Sequence, residues 1–300
     1  MAVEFDGVQI IYEGPPRWDG RKWVEGEEFV ISGLHQGDKG VELAPSVSGL
    51  ERPTKTYRYD SLANGSISKF RDVLADKRKI DASVNIYGKN KQELRDNKRR
   101  WFRNHDEENP GKLWFKPTDA PARYMLARLG QEAAVGDVEK DPDLRRIYEG
   151  FEWGWESDNA NFYGEKQVLD FKGSSGSYTL SVKNPSTAPE VFPKLYLYGP
   201  GKYTFSLGYM QGNFTTVDIP SGSTVRINFD PLERTYLMMD ANGKVSNMWP
   251  YAYGKRPKFS LEAETTTTIK VSCVGSPSKN PQLEFCLLYT SPSPRDGLLS

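Results

Sequence analysis

Residues 79–102 read KIDASVNIYGKNKQELRDNKRRWF, and their hydrophobic period changes halfway along. In the first half Ile80, Ala82, Val84 and Ile86 alternate with Asp81, Ser83 and Asn85. That period of two belongs to a strand with one face against a core. After Gly88 the period lengthens, and Leu94, Lys98, Trp101 and Phe102 fall on one side of a helix. Asn90, with Glu93 three residues later, suits a helix start in which the Asn oxygen accepts from the first turn and Glu reaches back. This is the one clear helical pattern in the chain.

Working outward, the neighbouring segments read as strands. Val3, Phe5, Val8, Ile10 and Tyr12 make residues 3–12 a strand, which the loop GPPRWDGRKW ends. Gly and Pro then punctuate further strands up to residue 62. Beyond Pro110-Gly111 the β pattern resumes, and Ile147, Phe151, Trp153 and Trp155 alternate into another strand. The polar stretch ESDNANFYGEKQ (156–167) follows and is read as the domain seam. From 168 to 285 short strands recur, with turns at Gly173–Gly176, Pro200-Gly201, Ser221-Gly222 and Asn242-Gly243. That rhythm predicts an antiparallel β-sandwich. The expected architecture is mainly β with one helix in the N-terminal half: residues 1–162, then a sandwich over 163–285, then a separate tail, 286–300.

Composition bounds the function. A chain of 300 residues is long enough for two cores. Forty basic side chains balance 40 acidic ones, so the whole chain is no polyanion binder. No run of about 18 apolar residues suggests a membrane span, and MAVEFDGVQIIYEG lacks the basic start of a secretory signal. The balance is local, however. Residues 69–105 hold 12 basic and 5 acidic side chains, net +7, whereas 106–170 hold 8 and 15, net −7. Opposite patches could meet head to tail between copies or neutralise each other within one subunit.

Chemical motifs are absent. There is no G-x-S-x-G elbow and no glycine-rich phosphate loop. Cys273, Cys286, His35 and His105 form no metal-ligand spacing. His35 reads as a loop residue, and His105, closing the basic helix, as a partner of the helix dipole. In NKRRWFRNH the cations could hold a phosphate backbone, but inward Trp101 and Phe102 with outward arginines explain the pattern as well. The acids of ESDNANFYGE lack the alternating oxygen ligands of a calcium loop, since Ala160 takes a ligand position. No catalytic, cofactor-binding or metal-ligating residue is assigned, no cofactor is expected, and an enzyme is not expected.

Three stretches carry a resemblance. LSVKNPSTAPEVFPKLYLYGPGKYTFSL (180–207) places Asn184, Pro193, Gly199, Pro200 and Gly201 in the order of an Asn turn, a proline, a strand and Gly-Pro-Gly. VRINFDPLERTYLMMDANGK (225–244) aligns Asp230, Pro231, Arg234, Asp240, Asn242 and Gly243 with a strand, Asp-Pro turn, strand and Asn-Gly hairpin. The third is the strand leading into a single helix over 64–102, with FEWGWESDNANFYGE (151–165) closing that domain. Together they resemble the distal tail proteins, or minor tail proteins, of long-tailed siphovirus bacteriophages. Pro185 departs from the pattern, because relatives often have glycine after the turn Asn.

The resemblance implies a structural virion protein. Its N-terminal domains would build a ring, a hexamer by that likeness, as a baseplate hub at the tail tip. Galectin-like C-terminal sandwiches would project from it, and the ring would join tube to host-recognition proteins. It implies synthesis in the host bacterial cytoplasm and no nucleic-acid partner. An alternative is a carbohydrate-binding module for host-wall glycans, with Tyr203, Tyr209, Trp249 and Tyr251 as aromatics that could stack on sugar, although core or subunit contacts are the favoured reading of these residues. In the tail, Cys286–Asp296 (CLLYTSPSPRD) resembles the one-frame translation of a transposase adapter from sequencing-library preparation. Residues 286–300 are therefore expected to be non-native, with the true sequence diverging at or near Phe285.

Overall fold

A computed structural model describes residues 7–18, 22–50, 55–61, 68–130, 147–174, 176–207, 214–231, 233–251 and 258–290. The chain divides into two compact units, Met1–Gly164 with Thr290–Ser300, and Glu165–Tyr289.

In the first unit, β1 (Val8–Glu13) lies between β4 (Glu28–Ser32) and β9 (Gly111–Pro117), with β10 (Arg123–Leu129) beyond β9. Between them in sequence come the short pair β2 (Arg17–Trp18) and β3 (Trp23–Val24). A second antiparallel set places β8 (Arg78–Tyr87) between β5 (Val41–Ser48) and β11 (Tyr148–Ser157). β6 (Lys55–Ser61) and β7 (Ser68–Ala75) form a separate two-stranded hairpin. Strand β10 joins the two sets: Arg123–Ala127 pair with β9, and Arg128–Leu129 pair with β11. Of the expected first strand, residues 3–6 lie outside the described residues, and β1 itself begins at Val8.

The period switch at 79–102 becomes β8 and the helix α1 (Lys91–Arg103). Ile80, Ala82, Val84 and Ile86 are buried as the alternation requires. Asn90 Oδ1 accepts from the amides of Gln92 (3.0 Å) and Glu93 (2.9 Å), while Glu93 Oε2 accepts from Lys89 N (2.8 Å). The buried helical stripe differs from the expected one: it is Leu94, Asn97 and Trp101. Asn97 replaces Lys98 because its Nδ2 donates to the Tyr87 carbonyl (2.8 Å), which the end of β8 presents to the helix. Lys98 turns to Glu149 instead (2.6 Å), and Phe102 sits at the rim, edge-on to Phe151 and Trp153.

The polar seam at 156–167 spans the end of β11, a short turn in which Asn159 Oδ1 accepts from Asn161 N (2.9 Å), and the start of β12 (Phe162–Asp170); β11 and β12 lie on either side of β10. The division between units falls inside β12, after Gly164.

The second unit is two antiparallel sheets face to face. One contains β16 (Lys194–Tyr198), β19 (Thr224–Asn228), β20 (Thr235–Met239), β21 (Val245–Asn247) and β24 (Gln282–Tyr289). The other contains β13 (Lys172–Ser174), β14 (Ser177–Lys183), β17 (Lys202–Leu207), β18 (Phe214–Thr215) and β23 (Thr266–Val274). β15 (Glu190–Val191) and β22 (Leu261–Glu262) pair beside them. Phe214 meets Tyr236 edge-on (5.7 Å between centroids), and Phe205 meets Phe229 likewise (6.4 Å), so rings from both sheets fill one core.

The last strand continues past Phe285. Leu287 and Tyr289 stay buried, and the Leu288 backbone bonds to Ser186 Oγ (3.0 Å) and Ala188 N (3.1 Å). The four residues Cys286–Tyr289 keep the alternation of Leu283 and Phe285, and that is enough to extend the pairing. Residues 291–300 lie outside the described residues.

Candidate assembly surface

The titratable groups buried in the first unit serve its core. His105 stacks flat on Tyr12 (4.0 Å, 3° between planes) and lies edge-on to Trp153 (4.7 Å). Its Nε2 accepts from Trp155 Nε1 (3.3 Å), which leaves the ring proton on Nδ1 to donate to the Trp101 carbonyl (3.0 Å). Burial pulls its pKa down to about 3. The expected helix-dipole role is therefore corrected: a neutral imidazole offers no charge to a helix end. His35 sits in the loop before β5 with φ of 68°, as its sequence context suggests.

Arg78 is a second buried group. Its guanidinium donates to the carbonyls of Ala160, Gly49 and Thr290 at 2.8 Å each and covers the Phe162 ring. Three chain segments are thereby tied by one side chain.

The residues of the first and second sequence motifs prove to be turn builders. Asn184 is fully buried; Nδ2 donates to Leu261 O (2.9 Å) and Glu262 O (3.1 Å), and Oδ1 accepts from Ser186 N (3.1 Å). A side chain on Gly199 would meet the Pro220 carbonyl oxygen at 1.9 Å, which restricts that position to glycine. Asp240 Oδ1 accepts from Asn242 N and Lys244 N (2.9 Å each), and Gly243 takes φ of 82° in the same turn.

Two surface features of the first unit stand apart. On the β6–β7 hairpin, Tyr57, Tyr59 and Phe70 are 58%, 58% and 52% exposed. Tyr59 and Phe70 are cross-strand partners with rings 5.9 Å apart, and alternation puts Lys55 and Tyr57 on the same face. The second feature is an open groove of about 410 Å³ lined by Pro45, Val47, Ser48, Asp81, Glu152 and Trp153, among others. Its cause is a break in β5. Leu43 pairs with Val84 and Val47 with Ala82, so Ala44, Pro45 and Ser46 bow out opposite Ser83 alone. The groove carries the outward carboxylates Asp81 and Glu152 of adjoining strands.

The charge imbalance is partly met within the unit, since Lys98 pairs with Glu149 and Lys77 with Glu156 across neighbouring elements. Both are surface pairs of small energetic weight. Among the described residues no cluster of His, Cys, Asp and Glu could hold a metal, and no helix is long and apolar enough to cross a membrane.

No family model matches the chain, and no curated protein matches it. Solved structures do. The chain is similar to the SPP1 Dit protein, described as a paradigm of the hub adsorption apparatus in phages infecting Gram-positive bacteria. The TM-score is 0.61 at 13% identity, covering 94% of this chain and 98% of that one. It is also similar to a chain of the phage P2 baseplate in its activated conformation with Ca (TM-score 0.55, 11% identity, 93% and 98% covered). A chain of the phage p2 baseplate with Sr gives 0.52 at 12% identity, with 93% and 97% covered. The chain has their fold.

Within that fold, the aromatics considered for sugar stacking separate. Tyr203 is fully buried and donates to the Tyr198 carbonyl (2.6 Å): β17 points it into the sandwich, so it belongs to the core reading and not to sugar stacking. Trp249 is half-buried against Tyr236 (5.5 Å). Tyr251 is 62% exposed, and Tyr209 lies outside the described residues.

Proposed function

We propose that the chain is a structural virion protein of a siphovirus tail tip: a distal tail protein forming a hexameric ring that joins the tail tube to the host-recognition apparatus. The observation that carries the reading is the whole-chain likeness to hub and baseplate proteins, which spans both units and nearly the full length of each neighbour. The order of motifs around Asn184, Gly199 and Asp240 supports it independently. The work of such a hub is geometric, so no catalytic residue or cofactor enters, and its partners are its own copies and the neighbouring tail proteins. It would be made in the host bacterial cytoplasm and end in the virion. Antibody labelling of purified particles tests the reading: density at the tail tip is expected, and labelling elsewhere or not at all sinks it.

A second reading is glycan binding by the sandwich unit, favoured by one observation, the exposed ring of Tyr251 beside half-buried Trp249. Retention on host-wall polysaccharide that Tyr251→Ala abolishes would support it. Absence of binding across a broad panel of such polysaccharides would remove it.

A further inference from the structure

The β6–β7 hairpin poses a physical problem. Its strands pair only with each other among the described strands, and a lone two-stranded hairpin is marginal in water. Its three half-exposed rings offer on the order of 300 Å² of apolar surface, within the range of a monomer's largest patch, which is often functional. Among the described residues, the ring contact of these three side chains is the Tyr59–Phe70 pair, and all three stay more than half exposed. The face is also cationic at one end, because Lys55 shares it. Arg71 and Asp60 form an exposed ion pair on the hairpin (3.6 Å).

A surface of complementary character exists on the same unit. The β5–β8–β11 groove offers an apolar wall in Pro45 and Val47 and carboxylates in Glu152 and in Asp81, which Lys79 approaches at 3.7 Å from its own strand. It lies at a sheet edge, since β5 ends its strand order. Hairpin and groove are different patches, so their union is head to tail, the kind of contact that repeats from copy to copy and closes into a ring when the rotation permits.

We propose that the aromatic face of β6–β7 in one copy docks into the β5–β8–β11 groove of a second copy, with Lys55 meeting Asp81 and Glu152. The proposal deepens the hub reading, on whose ring it rests, by naming the two surfaces that meet. The aromatic rings supply the buried area, and the charge pair fixes direction and register.

The test uses the full chain. Isotope-labelled and unlabelled copies are mixed and treated with a zero-length carbodiimide cross-linker. A mixed-isotope link from Lys55 to Asp81 or Glu152 is expected. Sedimentation should show self-association weakened at least tenfold by Tyr57→Ser/Tyr59→Ser/Phe70→Ser, with near-UV circular dichroism unchanged. Glu152→Lys copies and Lys55→Glu copies should each associate poorly alone and recover on mixing. Unimpaired association of the triple variant overturns the proposal, as does a wild-type chain that stays monomeric at its highest soluble concentration. So does a hairpin needed only for a different tail protein. Tip labelling of particles is independent of these results, so the hub reading can survive the failure of this contact.

Discussion

His105 stacks on Tyr12 and accepts from Trp155 while donating to Trp101, an arrangement available only to the neutral ring. Its pKa, lowered from 6.5 to about 3 by burial, ties stability to pH. Because the folded value is depressed, the unfolded chain takes up the proton first. The contribution is complete above about pH 6.5 and is lost as pH falls toward 3. Urea titrations of the wild type at pH 7, 5 and 4 should show falling stability, by at most ~1.4 kcal/mol per pH unit from this group. His105→Gln should flatten that part of the slope, and an unchanged slope would count against the assignment. In the sequence His105 looked like a helix-end cation, because nothing local reveals that Tyr12, far away in the chain, supplies a stacking partner. Asn184 was legible as a turn residue, whereas its two donated bonds to Leu261 and Glu262 bridge a separation that no local pattern encodes.

At the scale of elements, local chemistry carried further. The period switch at 79–102 and the Asn90 cap are short-range features, and both stand where the residues put them. Asn90→Ala should destabilise the first unit by about 1 kcal/mol, read as a shift in its urea midpoint. No shift would mean that packing of Leu94 and Trp101 alone sets where α1 begins. Which residues of α1 face inward was less legible: the stripe moved from Lys98 to Asn97 because the Tyr87 carbonyl needs a donor. At the other end of the chain, β24 accepts Cys286–Tyr289 on alternation alone. We infer that these residues replace a native ending and that resequencing of the source gene will diverge at or near Cys286. The native residues at 287 and 289 should nonetheless be apolar, because both positions are buried. A continuous gene encoding CLLYTSPSPRD would overturn the replacement.

For the whole molecule, the proposed hub predicts a stoichiometry. Tail-tip reconstruction of particles should place six copies around the tail axis, and a different copy number would remove the hexamer while leaving the fold untouched. The sequence by itself determined the class: mainly β, one helix, a second half of short strands, and no motif for catalysis. Alternation, caps and turn residues are set by neighbours a few positions apart, and those signals need no tertiary context. Only the tertiary structure decided which surfaces are left over. It buried Tyr203, set β11 and β12 on either side of β10, left Tyr57, Tyr59 and Phe70 outside, and opened a groove where β5 bows away from Ser83. Those outcomes depend on pairing between strands distant in the chain, where closing long loops brings together residues whose local patterns say nothing about each other.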